Sequence, residues 1–159
     1  MYNEKQLTSL IARYQQKAFA LALYLIGGNQ DRAYDIVASG FAEAIRATAS
    51  AETDAMFPAR LAAAIASRSR GMRAIPSAED YGLSDVPPEK RAPLDLMKAA
   101  IAQLDFEVRL LLLLRDQMRL PYSQIAFVTQ STEKDARMQM NQARGALREQ
   151  IALLLGKKR

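Results

Sequence analysis

The sequence predicts an all-α protein: two small helical domains joined by a flexible linker. Three observations carry this reading. Apolar residues recur at three- and four-residue spacing along most of the chain, the period of a helix with one buried face, and no alternating run of strand type occurs. The helical pattern breaks once, in "GMRAIPSAEDYGLSDVPPEKRAP", which holds four of the six prolines and two glycines. Charge also changes by segment. Residues 58–73 carry Arg60, Arg68, Arg70 and Arg73 with no acid. Residues 131–159 carry seven Lys/Arg against Glu133, Asp135 and Glu149. The intervening "SAEDYGLSDVPPEK" is mostly acidic. This places an N-terminal three-helix domain at 1–73, a linker at 74–92 and a C-terminal domain at 93–159.

The elements follow in order. From Glu4 to Ile26 one face repeats as Leu7, Leu10, Ile11, Tyr14, Ala18, Leu21, Ala22 and Leu25. "GGN" ends this helix, because glycine accepts the left-handed C-cap conformation, and Asn29 caps the next helix. That second helix aligns Ala33, Ile36, Val37, Gly40, Phe41, Ala44 and Ile45. A third starts near Thr53 or Asp54, with Pro58 tolerated in its first turn. After the linker, Leu94, Met97, Ile101 and Leu104 resume the helical period. Asp105 stands where it caps "FEVRLLLLLRDQM", whose consecutive leucines imply burial on more than one side. Pro121 starts the short helix "YSQIAFV", "TQS" turns, and Thr132 with Asp135 has capping-box spacing for a final helix to about Leu155.

Composition excludes several chemistries. The chain of 159 residues has no cysteine and no histidine, so no disulfide, no thiolate metal site and no imidazole base exist. "IGGNQD" lacks the lysine and the preceding strand of a phosphate-cradling loop, and Glu79-Asp80 falls in the linker. No enzyme activity, cofactor or metal is therefore expected. No apolar run reaches about eighteen residues, and "FALALYLIGG" lacks a basic leader, so neither a membrane span nor a signal peptide is expected and the location reads as cytoplasmic. The net charge of +5 suits a polyanionic partner.

The final helix carries two stripes. Ala136, Met140, Ala143, Leu147, Ile151 and Leu154 form an apolar one. Lys134, Arg137, Asn141, Arg144 and Arg148 form a basic one, offset by one position, about 100° around the helix. A short helix, a tight turn and a longer helix with a basic face is helix-turn-helix geometry, in which the longer helix enters the major groove. A solvated surface helix of a bundle fits the same spacing.

Residue order adds a resemblance. "AIAQLDFEVRLLLLLRDQMRLPYSQIAFVTQSTEKDARMQMNQARGALREQI" resembles the C-terminal, region 4-like DNA-binding part of bacterial RNA polymerase sigma factors of the extracytoplasmic-function type. Leu104-Asp105, Leu110 to Arg115, Tyr122-Ser123-Gln124-Ile125-Ala126 and Ala143-Arg144-Gly145-Ala146-Leu147-Arg148 fall at that family's spacing without gaps. "LYLIGGNQDRAYDIVASGFAEAIRA" resembles the family's region 2 helix, with Gly28, Ala33, Asp35, Ile36, Val37, Phe41 and Ala44 in register. The resemblance implies promoter-directed initiation with RNA polymerase core enzyme, promoter DNA and an anti-sigma factor as partners. It assigns Asp35, Ile36, Val37 and Phe41 to the polymerase-binding helix, the apolar three being core candidates as well. It assigns Arg68, Arg70 and Arg73 to the −10 DNA path. Thr132, Glu133, Lys134, Arg137 and Met138 would face −35 bases, with Asn141, Arg144 and Arg148 nearer phosphates.

Departures from the family pattern motivate an alternative. Ala38-Ser39-Gly40 stand in place of a polar "QET" patch, Arg60 in place of a common tryptophan, and Thr129-Gln130 in place of a turn glycine. Gln139 replaces a basic residue, and no aromatic lies between Pro58 and Asp80, although opening a duplex needs side chains that hold an extruded base. The alternative is a degenerate sigma-like adaptor or decoy that binds an anti-sigma regulator without opening promoters. A dimeric helix-turn-helix repressor ranks below both.

Overall fold

The computed structural model describes residues 2–49, 54–72 and 88–156, and these are all-helical, with no strand among them. The helices are α1 (Glu4–Leu25), α2 (Gln30–Ala49), α3 (Phe57–Ser69), α4 (Pro88–Gln103), α5 (Phe106–Asp116), α6 (Tyr122–Thr129) and α7 (Glu133–Leu154), with one 3-10 turn at Asp54–Met56. Most of the expected linker, together with Arg73, lies outside the described residues. Its last part does not: α4 already begins at Pro88, and Pro93 sits inside it.

Local chemistry sets the boundaries. α1 opens on a reciprocal capping box that the residue pattern had not flagged: Asn3 Oδ1 accepts from the Gln6 N–H at 2.8 Å, and Gln6 Oε1 accepts from the Asn3 N–H at 2.9 Å. It ends where Gly27 and Gly28 take φ of 83° and 105°, and the Gly28 N–H returns to the Leu23 carbonyl at 2.9 Å. Asn29 caps α2 through Oδ1, which accepts from the Arg32 N–H at 3.0 Å. Pro58 falls in the first turn of α3, where its missing N–H has no intrahelical partner to lose. Asp105 occupies the N-cap position of α5 but makes no side-chain cap bond.

α1, α2 and α3 pack on one another around Leu21, Leu25, Ile26, Phe41, Phe57, Leu61 and Ile65. α7 packs on α4, α5 and α6, with Ala136, Met140 and Ala143 turned inward. All five leucines of α5, Leu110 to Leu114, are buried. The reason is that α5 meets α7 and α6 within its own half and α1 in the other. α3 also packs on α6, so the first three helices and the last four share a seam.

Candidate nucleic-acid interface and apolar groove

The helix-turn-helix is built by α6, the turn and α7. Gln130 adopts the left-handed conformation (φ 56°, ψ 47°), and the Ser131 N–H reaches back to the Ala126 carbonyl at 2.9 Å. The tight turn is thus kept without a glycine. Thr132 then caps α7, its Oγ1 accepting from the Asp135 N–H at 3.0 Å.

The basic flank of α7 faces away from the core. Thr132, Glu133, Lys134, Arg137, Met138, Asn141 and Arg148 are exposed, and Arg144 is half-buried. The opposite stripe is buried through Ala143, half-buried at Leu147 and Ile151, and exposed at Leu154. Arg137 forms an ion pair with Glu133 one turn earlier at 3.0 Å, and its Cζ lies 4.5 Å from the centroid of the Tyr122 ring. Arg115, from α5, lies 4.7 Å from the same ring and donates to the Leu120 carbonyl. Arg144 borders a polar cleft of about 570 Å³ with Arg115, Asp116 and Arg119. Residue-pattern reasoning singled out neither Arg115 nor Arg119. They come from α5 and the loop before α6, and only folding sets them beside α7.

The two described candidates at the end of α3, Arg68 and Arg70, are already paired. Arg68 bridges Glu43 of α2 at 2.9 Å. Arg70 presents Nε and Nη2 to both carboxylate oxygens of Glu107, on α5, at 2.9 and 3.1 Å. Arg60 places its guanidinium 5.6 Å from the ring of Phe127 in α6.

On α2 the four polymerase-binding candidates divide. Asp35 is exposed, and Ile36 is buried at 6 % exposure. Val37 and Phe41 lie at the edge of the core, where they line an apolar groove of about 760 Å³ between α1 and α2. Ile11, Gln15, Gln16 and Phe19 of α1 and Tyr34, Ala38 and Ile45 of α2 also line it. Tyr34 is 62 % exposed and rests on Phe19, with ring centroids 4.6 Å apart. Tyr34 was legible in principle, since it stands three residues before Val37 and seven before Phe41. The Ala38-Ser39-Gly40 departure is only partly a surface matter. Ala38 is exposed, but Gly40 is buried, and a Cβ there would lie 3.0 Å from Ile65 Cγ1.

No protein-family model matches the chain, and no curated protein does. Among solved structures, it is similar to CnrH in complex with the cytosolic domain of CnrY, at 21 % sequence identity and a TM-score of 0.71, covering 98 % of this chain and 92 % of that one. The likeness is one of fold: an all-helical arrangement shared with CnrH over nearly the whole of both chains. Among the described residues no helix is long and apolar enough to cross a membrane, and no group of acidic residues is arranged to hold a metal.

Proposed function

We propose that the protein is a sigma-factor-like regulator that binds RNA polymerase core enzyme in the cytoplasm and directs it to specific promoters. One observation carries the reading: within a sigma-like fold, α7 follows a capped turn and presents Lys134, Arg137, Asn141 and Arg148 to solvent. Exposed arginines at the start of such a helix suit base edges, and those further along suit phosphates. Arg115 and Arg119 extend the positive surface beside Arg144 and join the phosphate contacts. The groove formed with Val37 and Phe41 is the surface for polymerase. That CnrH was captured with the cytosolic domain of CnrY supports a protein partner of the anti-sigma kind here too.

Transcription in vitro with core polymerase and a library of promoter fragments tests this. Run-off product is expected. Arg137→Ala is expected to weaken binding to the cognate promoter by about 1–3 kcal/mol, the range of a base contact. An unchanged affinity would remove that role from Arg137.

The second reading, an adaptor or decoy, is favoured by the α1–α2 groove, whose lining residues carry no charge, and by the pairing of Arg68 and Arg70 within the chain. Core binding without any run-off product, together with capture of an anti-sigma partner, would decide for it.

A further inference from the structure

The first turn of α5 makes a polar joint across the seam between the two halves. Arg109 is only 4 % exposed. Its Nη1 donates to the Leu104 carbonyl at 2.6 Å and its Nη2 to the Leu25 carbonyl, in the other half, at 2.8 Å. Leu25 is the last residue of α1, and α1 has no basic residue in its own last turn. A helix C-terminus exposes carbonyls with no intrahelical partner and carries a partial negative charge. Arg109 therefore caps α1 from a distant part of the chain. Two residues earlier on the same turn, Glu107 holds the fork of Arg70. Phe106 lies beneath both cations, with Arg70 Cζ 5.2 Å and Arg109 Cζ 5.6 Å from its ring centroid.

We infer that Phe106, Glu107 and Arg109 form a latch that holds the two halves closed and withholds Arg70 from a nucleic-acid phosphate. The two parts of the latch differ in strength. The Arg70–Glu107 pair is exposed on both sides, at 47 % and 62 %, so a phosphate competes with Glu107 for the same fork. Arg109 is buried, and removing it leaves the carbonyl end of α1 without its donor, so closure depends on Arg109. Opening of the halves separates Arg70 from Glu107 and so frees it, while a phosphate can also take Arg70 with the halves closed. The role of Arg70 rests on the DNA-binding reading above; the latch itself does not.

The chain has no cysteine, so spin labels on Ser9→Cys and Gln142→Cys, both exposed, report the spacing of the halves in the full chain. Wild type is expected to give one narrow distance. Arg109→Met, with helix content held, is expected to give a longer and broader distribution. A broad wild-type distribution, or a narrow one in folded Arg109→Met, overturns the latch. If Arg109→Met does not fold, Arg109→Lys replaces it; lysine keeps the charge but loses the fork that spans two carbonyls, and the same broadening is expected. Separately, Glu107→Gln is expected to raise affinity for a random-sequence duplex about threefold or more at low salt. The gain should vanish in Glu107→Gln with Arg70→Gln. No gain, while wild type binds duplex, overturns the withholding of Arg70. If wild type binds no duplex at all, the DNA-binding reading fails with that part of the inference, and the distances alone judge the closure.

Discussion

Gly40 shows how one atom decides a helix contact. Its Cα faces α3, where a Cβ would already lie 3.0 Å from Ile65 Cγ1 and 3.7 Å from Leu61 Cδ1. Gly40→Thr, which restores the residue type of the family pattern, adds a branched side chain to that contact. It is expected to lower stability by about 1–3 kcal/mol, read as a lower midpoint in urea. The sequence placed Gly40 on the apolar face of α2 but could not reveal Ile65 opposite it, because the pairing of α2 with α3 depends on distant residues. Gln130 is the converse case. A left-handed non-glycine residue is strained by roughly 1 kcal/mol, so Gln130→Gly is expected to raise stability by a few tenths to about 1 kcal/mol in the same assay. Here the residue pattern was informative: it put a turn at "TQS", and the backbone keeps the left-handed geometry that glycine serves elsewhere.

At the scale of elements, α7 is the most legible part of the chain. Its two stripes came from three- and four-residue spacing alone, and Ala136, Met140 and Ala143 are buried at 0 %, 1 % and 1 % exposure. The stripe overreached at its end. Leu154 continues the period but is 41 % exposed, because periodicity marks a face without saying how far a neighbour covers it. Leu154→Lys is accordingly expected to change stability by less than about 0.5 kcal/mol. The other end of the helix is held by Thr132. Thr132→Ala removes the acceptor for the Asp135 N–H and is expected to cost about 1 kcal/mol, seen as a lower thermal midpoint. The short α6 and the leucine-rich α5 were legible too, the latter because five adjacent leucines need apolar neighbours on several sides.

At the scale of the whole molecule, the seam was the least legible feature. The proline-rich interruption suggested two bodies on a tether. Contacts such as Gln124 Nε2 to the Ala55 carbonyl at 2.9 Å join residues 69 apart in sequence, and no local pattern announces them. The positive surface is likewise a product of assembly. Arg115, Arg119 and Arg144 come from three elements, so their contribution belongs to the folded shape rather than to any one segment. If each meets a phosphate, Arg115→Ala and Arg119→Ala should each reduce the slope of log affinity against log salt by about 1, measured by duplex titration over a range of ionic strengths. The cap that α1 borrows has a temporal consequence as well. A nascent chain emerges from the ribosome N-terminus first, so Leu25 is exposed well before Arg109 has been synthesised. The glycine turn closes the Leu23 carbonyl as soon as it is made, but the Leu25 carbonyl stays without its donor until α5 arrives.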